Sequence, residues 1–288
     1  MKHLRQYIRQ VLNENKLSGR SLQGVLNLLE GYASNTWIFF DTETTGLEPS
    51  SSQLTEIAAI AVDPNTWNSN ATILDQFNEK IKLTPASDRL LNDPGSSERK
   101  AWEKSNKTGR HPMKDPQAIL SMTRYGEQGR AFSDEQIVLD EFFEWAASFS
   151  NPMFIAQNAS FDLKFLNVRS AGKLPKYPVL DTKQLMEMYL IPLLKTQAQA
   201  EQGDTASRQL LDKLYVKRGN WGFHSTSMGV VSKAYGISVD GWHNALVDVK
   251  MMMSMYKNVV NTLKDGMEID ISKEHGKVIN AKKRRMYR

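Results

Sequence analysis

Residues 38–46 read Ile-Phe-Phe-Asp-Thr-Glu-Thr-Thr-Gly, an apolar run followed by two acids and a turn. The apolar residues predict a buried strand, and side chains two residues apart in a strand point to the same face. Asp41 and Glu43 are therefore expected to project together from the end of that strand. Two acids at this spacing are equally common at an exposed strand end, so the rest of the chain must decide between the two interpretations.

The neighbouring segments predict a mixed sheet. Strands are expected at residues 36–41, 54–62 and 72–83, and the short connections between them favour an antiparallel meander. Further along, short apolar strands at 153–157 and 179–181 alternate with helices. Strands in a meander followed by alternating strands and helices indicate an α/β fold with a mixed sheet flanked by helices.

The predicted helices and insertions complete this outline. Ser133 and Gln136 predict a capping box at the start of a helix that runs to about residue 148. Gly266 is expected to end a long helix that begins near Asn244. Further helices are expected at 161–171, from 182 through 189 and at 225–235. Two polar segments, 84–131 and 193–223, are interpreted as insertions, the first with some structure of its own.

The ends of the chain predict two extensions around a central domain at 35–266. Residues 1–34 predict helices, which fit packing on the domain, docking on a partner protein or a mitochondrial transit peptide. Residues 267–288 form a basic tail. The net charge of +5 is concentrated there, because 272–288 carry seven Lys/Arg and one Glu. The tail is expected either to bind nucleic acid non-specifically or to be a solvated end.

The composition restricts the possible chemistry. The 288 residues include no cysteine, which excludes disulfides, thiolate metal sites and cysteine nucleophiles. A metal site must therefore use oxygen and imidazole ligands, which favours Mg²⁺ or Mn²⁺. The apolar runs are too short to span a bilayer and no secretory signal is recognisable, so a cytoplasmic location is expected.

Two further segments carry candidate ligands. Asp162 follows a predicted buried strand, where ligands gather in α/β sheets, although a helix-capping role is the simpler alternative. His243 and Asp248 suit a loop residue and an acid in the first turns of a helix, with capping and helix-dipole roles as alternatives. The methionines on that helix, at 251, 252, 253 and 255, are interpreted as core residues rather than soft metal ligands.

Residues 40–47, 158–162 and 243–248 resemble, in this order, the three motifs of the DEDDh 3′–5′ exonucleases. That family includes the proofreading subunit of bacterial DNA polymerase III, RNase T and oligoribonuclease. The resemblance covers residues 37–256 apart from the insertions, which look longer than in compact members, and it implies the ribonuclease H-like fold. Asp181-Thr182 resembles a frequent pair after the second motif, whereas Gln157 stands where the family often has His.

The resemblance also implies roles for individual residues. Two divalent cations, Mg²⁺ or Mn²⁺, are expected on four acids, with His243 as general base. The implied metal ligands are Asp41, Glu43, Asp162 and Asp248. The residues implied to contact the 3′-terminal nucleotide are Thr44, Leu47, Asn158 and Phe161. The expected partner is a nucleic acid with a free 3′ end, single-stranded or frayed, with a protein partner possible at the N-terminal helices and no membrane partner.

The leading hypothesis is a 3′–5′ exonuclease that releases nucleoside 5′-monophosphates from DNA or RNA. A non-catalytic nucleic-acid-binding module on the same fold is the first alternative, and it would predict the loss of at least one ligand. An interaction scaffold, in which the acids are incidental, is the second. No motif distinguishes ribose from deoxyribose substrates, because that choice depends on contacts around the 2′ position.

Overall fold

The computed structural model describes residues 35–67, 71–106, 132–199, 204–219 and 221–286, with side chains described to residues 104 and 265 in the second and last ranges. The predicted N-terminal helices lie outside these residues. The described chain forms two compact units. We call residues 35–182 with 237–254 the sheet unit, and residues 183–236 with 255–286 the helical unit.

The strands are β1 (Thr36–Thr44), β2 (Leu54–Asp63), β3 (Thr72–Lys80), β4 (Pro152–Ala156), β5 (Val179–Asp181), β6 (Tyr215–Arg218) and β7 (Trp221–His224). The helices are α1 (Pro85–Asn92), α2 (Ser97–Asn106), α3 (Glu135–Ala147), α4 (Ser160–Arg169), α5 (Thr182–Leu185), α6 (Ile191–Gln199), α7 (Thr205–Leu214), α8 (Met228–Ala234) and α9 (Ala245–Met286). A π-helical segment, Met186–Leu190, joins α5 to α6. No helix among the described residues is both long enough and apolar enough to cross a membrane.

The sheet unit contains the predicted mixed sheet, with strands in the order β3-β2-β1-β4-β5. Strand β1 is antiparallel to β2 and parallel to β4, and β4 is parallel to β5. The meander followed by parallel strands is therefore confirmed. Strand β1 extends three residues beyond the predicted end at residue 41, so it carries both Asp41 and Glu43.

Aromatic side chains fill both faces of the sheet around β1. On one face, the Phe154 ring packs at 4.9 Å from Phe40 and at 5.9 Å from Phe142 of α3, measured between ring centroids. On the other face, Phe39 stacks on Trp67 at 5.2 Å. The period of two along a strand places Asp41 on the same face as Phe39. The acids thus continue a row of buried aromatic residues, which holds their backbone in place.

Several helix boundaries differ from the predictions, and those of α9 and α3 are the most informative. Helix α9 continues past Gly266 to Met286. Glycine costs about 1 kcal/mol relative to alanine inside a helix, which the surrounding helix-forming residues offset. The predicted capping box at Ser133 is wrong, because the N-cap of α3 is Asp134 and makes no side-chain cap bond. Ser133 instead pairs with Ile81, and its carbonyl accepts a 2.9 Å hydrogen bond from the Lys82 N–H.

The polar segment 193–223 contains regular structure of the helical unit. It includes most of α6, all of α7 and nearly all of the β6–β7 hairpin. The Asp204 carboxylate caps α7 by accepting hydrogen bonds from the N–H groups of Ala206 and Ser207 at 3.3 and 2.8 Å. Four of the five leucines of this segment are buried, namely Leu193, Leu194, Leu211 and Leu214. Their helical spacing supplies an apolar face that the high overall polarity of the segment conceals.

Candidate active site

The first acids of the site lie at the end of β1. Pairing with β2 continues to Thr44: Glu43 lies opposite Glu56, and after a register shift Thr44 lies opposite Leu54. The chain then turns: the Thr45 N–H donates to the Gln53 carbonyl at 2.9 Å, and Thr44 Oγ1 donates to the Gly46 carbonyl at 2.7 Å. This turn fixes where β1 ends, and so where the two acids project.

Asp162 is bonded to β1 between the two acids. Its Oδ1 accepts hydrogen bonds from the Thr42 N–H at 3.1 Å and from Thr42 Oγ1 at 2.7 Å, and the side chain is buried. The helix-capping interpretation is wrong, because Ala159 occupies the N-cap of α4. The carboxylate reaches across to β1 and also accepts from its own backbone N–H.

His243 and Asp248 are held together at the start of α9. The His243 N–H donates to both carboxylate oxygens of Asp248, each at 3.3 Å, and Asp248 is buried in the first turn of the helix. The imidazole ring stacks on Trp242, with centroids 4.6 Å apart and planes 13° apart. His243 has φ of 73°, a left-handed conformation that is uncommon outside glycine. Such conformations persist where the surrounding structure enforces them, and they cluster at functional sites.

The structure brings these residues into one cluster. One ligand atom each from Glu43, His243 and Asp248 lies within 4.8 Å of the others. Burial raises the pKa of Asp41 well above its ordinary value, and the charges of Asp162, Glu43 and Asp248 raise it further. All four predicted metal ligands and the predicted general base are therefore neighbours within the sheet unit.

The electrostatics of the cluster favour a bound cation. Burial raises the pKa of Asp162 to about 7, against the lowering effect of its hydrogen bonds from Thr42. Acids crowded away from water hold protons because their charged forms repel one another, and a divalent cation removes that repulsion. Carboxylate oxygens match the ligand preferences of Mg²⁺ and Mn²⁺. The donor set thus fits divalent cations.

Glu56 is a buried acid of the site that sequence reasoning missed. Its carboxylate accepts hydrogen bonds from Asn244 Nδ2 at 3.3 Å and from the Ala245 N–H at 3.4 Å. Asn244 also caps α9, because its Oδ1 accepts from the Val247 N–H at 3.2 Å. Glu56 therefore ties β2 to the residues immediately after His243. Its signal in the sequence is a glutamate inside an otherwise apolar strand.

The predicted substrate contacts lie at two chain turns. Leu47 follows the end of β1 and is 52% exposed. Asn158 has φ of 60°, and its N–H donates to the Asp181 carboxylate at 3.0 Å. Phe161 opens α4 and packs at 5.0 Å from Phe165. Thr182, which follows Asp181, donates to the side chain of Gln157. The roles of these residues in substrate binding stay predictions.

Comparisons with known proteins find a distant sequence relative and solved structures of similar fold. No family model matches the chain. It is 25% identical over 260 residues to the PolC-type DNA polymerase III of Clostridium perfringens, which covers 89% of the chain and 13% of that protein. It is also similar to E. coli Exonuclease I in complex with a dA16 oligonucleotide (17% identity, TM-score 0.53). That match covers 82% of the chain and 42% of the solved one.

A second solved structure gives the same result. The zinc-bound E. coli ExoI–ssDNA complex is 18% identical with a TM-score of 0.51, covering 81% of the chain and 42% of that protein. These comparisons confirm the predicted mixed α/β fold and the resemblance to exonucleases. The chain spans less than half the length of each relative.

Proposed function

We propose that this chain is a metal-dependent 3′–5′ exonuclease that hydrolyses DNA from its 3′ end and releases nucleoside 5′-monophosphates. The observation that carries the proposal is the cluster of four acids with His243, in which three ligand atoms lie within 4.8 Å of one another. The similarity to Exonuclease I, solved with a dA16 oligonucleotide, supports DNA as the substrate.

The chain's own residues account for cation binding. Asp41, Glu43, Asp162 and Asp248 would hold two divalent cations, Mg²⁺ or Mn²⁺. Bound divalent cations supply a water activated for attack and stabilise the negative charge that develops on the leaving oxygen. The hydrogen bonds from Thr42 keep the Asp162 carboxylate oriented toward β1, so this ligand is positioned before a cation arrives.

His243 would take the proton of the attacking water. A neutral imidazole nitrogen can accept a proton, and histidine is the most common general base in enzymes. Stacking on Trp242 and the backbone bond to Asp248 fix the ring beside the acids. Proton removal by a positioned base contributes roughly 10²–10⁴-fold to the rate of such reactions.

The 3′-terminal nucleotide would be held by Thr44, Leu47, Asn158 and Phe161. Leu47 offers exposed apolar surface beside the turn after β1, and Phe161 offers an aromatic ring at the start of α4. Aromatic side chains stack on unpaired bases without strong sequence preference. We infer that the bound end is single-stranded, or is frayed from a duplex.

A comparison of substrate ends tests this proposal. Single-stranded DNA, duplex DNA and RNA, each labelled at the 5′ end, are incubated with Mg²⁺ or Mn²⁺, and the products are separated by length. We expect a ladder of shortened 5′-labelled products from single-stranded DNA, slower digestion of a 3′-phosphate and no cleavage of circular DNA. Equal rates on linear and circular DNA would indicate an endonuclease. Binding without hydrolysis under every metal condition would support the non-catalytic alternative.

A further inference from the structure

The β6–β7 hairpin of the helical unit presents two chemically different faces. The strands pair antiparallel and are joined by residues 219–220, with Gly219 at φ of 58°. Because directly opposed residues share a face, the register assigns the side chains. One face carries Val216, Arg218, Trp221 and Phe223, and we call it the hairpin face. The opposite face carries Tyr215, Lys217, Gly222 and His224.

The opposite face is filled by its own aromatic ring. A Cβ atom on Gly222 would lie 1.6 Å from the Tyr215 hydroxyl, so only glycine leaves room for that ring. Tyr215 also meets His224 edge-on at 5.8 Å. At the base of the hairpin, the Ser225 N–H donates to the carbonyl of buried Leu214 at 2.8 Å. Two-stranded hairpins are marginal in isolation, and these contacts brace this one.

The hairpin face exposes large aromatic surface. Trp221 is 82% exposed and Phe223 is 45% exposed, and they are separated by one residue on the same strand. Adjacent exposed aromatic residues on a soluble protein mark a binding surface. The Arg218 guanidinium lies 5.9 Å from the centre of the Phe223 ring, so this surface also presents a positively charged side chain.

The charge around the hairpin is mainly positive, although Asp212, just before it in the chain, also acts on His224. Residues 213–224 include Lys213, Lys217 and Arg218 and no acid. Lys195 adds positive charge nearby, because its charge contributes, after burial, to a lowered pKa of His224. An aromatic surface whose own strands carry basic side chains and no acid attracts a polyanion that carries flat rings.

We propose that the hairpin face binds single-stranded nucleic acid, with bases stacking on Trp221 and Phe223 and a phosphate pairing with Arg218. The choice of nucleic acid rests on the proposed exonuclease function, and charge complementarity supports it. Stacking suits an exonuclease because every base has an aromatic face, so binding does not depend on sequence. Neither ring belongs to the catalytic cluster, which lies in the sheet unit.

The test compares variants of the full chain for binding to a 5′-fluorescein dT20 oligonucleotide, followed by fluorescence anisotropy in chelator. The variants are Trp221→Ala, Phe223→Ala and Arg218→Glu, with Trp221→Phe as the conservative replacement. Leu74→Ala, at an exposed residue of β3, is the matched apolar control, and Arg208→Glu on α7 is the matched charge control. Because Trp221 is mostly exposed, its replacement should leave the melting temperature unchanged.

We expect Trp221→Ala to raise the Kd by roughly 5- to 150-fold, the range for loss of one stacked base. Trp221→Phe should restore most of the affinity, and Leu74→Ala should bind like the unchanged chain. Arg218→Glu should weaken binding at low salt and flatten its salt dependence, whereas Arg208→Glu should do so less. An unchanged Kd for both Trp221→Ala and Phe223→Ala would overturn the proposal.

Two further measurements distinguish a failure of the proposed exonuclease function from a failure of the hairpin proposal. The p-nitrophenyl ester of thymidine 5′-monophosphate carries one nucleotide, so its hydrolysis tests the catalytic cluster without the hairpin, and Trp221→Ala should keep that rate. Absence of hydrolysis by the unchanged chain would refute the exonuclease function, while the Kd comparison would still test the hairpin. Self-association that Trp221→Ala abolishes in sedimentation, with unchanged DNA affinity, would show a protein interface and overturn the proposal.

Discussion

His243 illustrates how single residues define the candidate site. A non-glycine residue at φ of 73° carries strain of about 1–3 kcal/mol, and the bonds from its N–H to Asp248 help to enforce that conformation. A ring held this way is available as a base without rearranging when substrate binds. The strain lies in the backbone of His243 and the proposed proton transfer lies in its ring, so different substitutions can test the two separately.

We predict that His243→Ala lowers kcat by roughly 10²–10⁴-fold, because the general base is lost, while metal affinity changes little. His243→Gly should lose as much activity but be more stable than His243→Ala, since glycine adopts positive φ without strain. Steady-state kinetics, Mn²⁺ titration and thermal melting measure these effects, with His224→Ala as the control. Turnover of His243→Ala at the level of the unchanged chain would contradict the assigned role.

Asp162 gives a pH dependence whose direction can be stated. Its pKa is raised to about 7 in the folded chain, compared with about 3.9 for an unfolded aspartate. Between those values the folded chain binds more protons, so the stability contributed by this group falls as pH rises. In chelator, we predict a melting temperature that falls from about pH 4 to pH 7, and falls less in Asp162→Asn.

Added Mg²⁺ should reduce the fall in the unchanged chain, because the cation favours the ionised carboxylate. The exposed residue Asp212 on α7 supplies the control, Asp212→Asn, which should melt like the unchanged chain at each pH. If the melting temperatures of Asp162→Asn and the unchanged chain depend on pH in the same way, the raised pKa of Asp162 does not cause the fall in stability.

Glu56 shows what residue-level sequence reasoning misses. A glutamate in an apolar strand is visible in the sequence, but its partner Asn244 lies 188 positions away, and no local pattern connects them. Asp41, Glu43, Asp162, His243 and Asp248 could be found because each belongs to a short motif of recognisable order.

We predict that Glu56→Ala destabilises the chain by about 1–3 kcal/mol, since it leaves the buried Ala245 N–H without its acceptor. Glu56→Gln retains one acceptor oxygen and should be milder. Urea denaturation measures the change, and Glu141→Ala on the exposed surface of α3 is the control. Because Glu56 positions the start of α9, kcat should fall in the same order. Equal stability of Glu56→Ala and Glu141→Ala would contradict the positioning role.

At the scale of elements, buried strands could be predicted and helix ends could not. The strands of the sheet unit are short apolar runs bounded by turns, and they lie within a few residues of the predictions. The start of α3 depends on a distant contact, because Ser133 pairs with Ile81. The end of α9 is not set by Gly266, because helix-forming residues on both sides continue the helix through it. In segment 193–223 the many polar residues conceal the helical spacing of the buried leucines, so the sequence predicts an insertion there.

Packing of α3 on the sheet gives a prediction at this scale. Phe142 is fully buried and stacks on Phe154, with ring planes 13° apart. Phe142→Ala should cost about 3–5 kcal/mol in the free energy of unfolding, through lost transfer energy and the cavity left behind. Ile137→Ala on the same helix, where the side chain is 50% exposed, should cost far less. The denaturant midpoints of the two variants measure this difference. Similar midpoints would contradict the packing of α3 against the core.

For the whole molecule, the predicted catalytic residues all lie in the sheet unit, and the hairpin face lies in the helical unit. The catalytic residues could be predicted from the sequence because their motifs match a known pattern. The hairpin face could not, because exposed aromatic residues form no recognisable motif. The predicted domain limits and the substrate role of the basic tail at 267–288 remain proposals. The tail's backbone continues α9 as far as Met286.

The central claim, a cation-dependent nuclease built on the acid cluster, is tested most directly by one assay. Release of nucleotides from 5′-labelled single-stranded DNA is followed for the unchanged chain, Asp41→Asn and Asp212→Asn, in chelator and after addition of Mg²⁺ or Mn²⁺. We predict no release in chelator, release on adding the cation to the unchanged chain and to Asp212→Asn, and none from Asp41→Asn. Full release in chelator, or by Asp41→Asn, would contradict the claim.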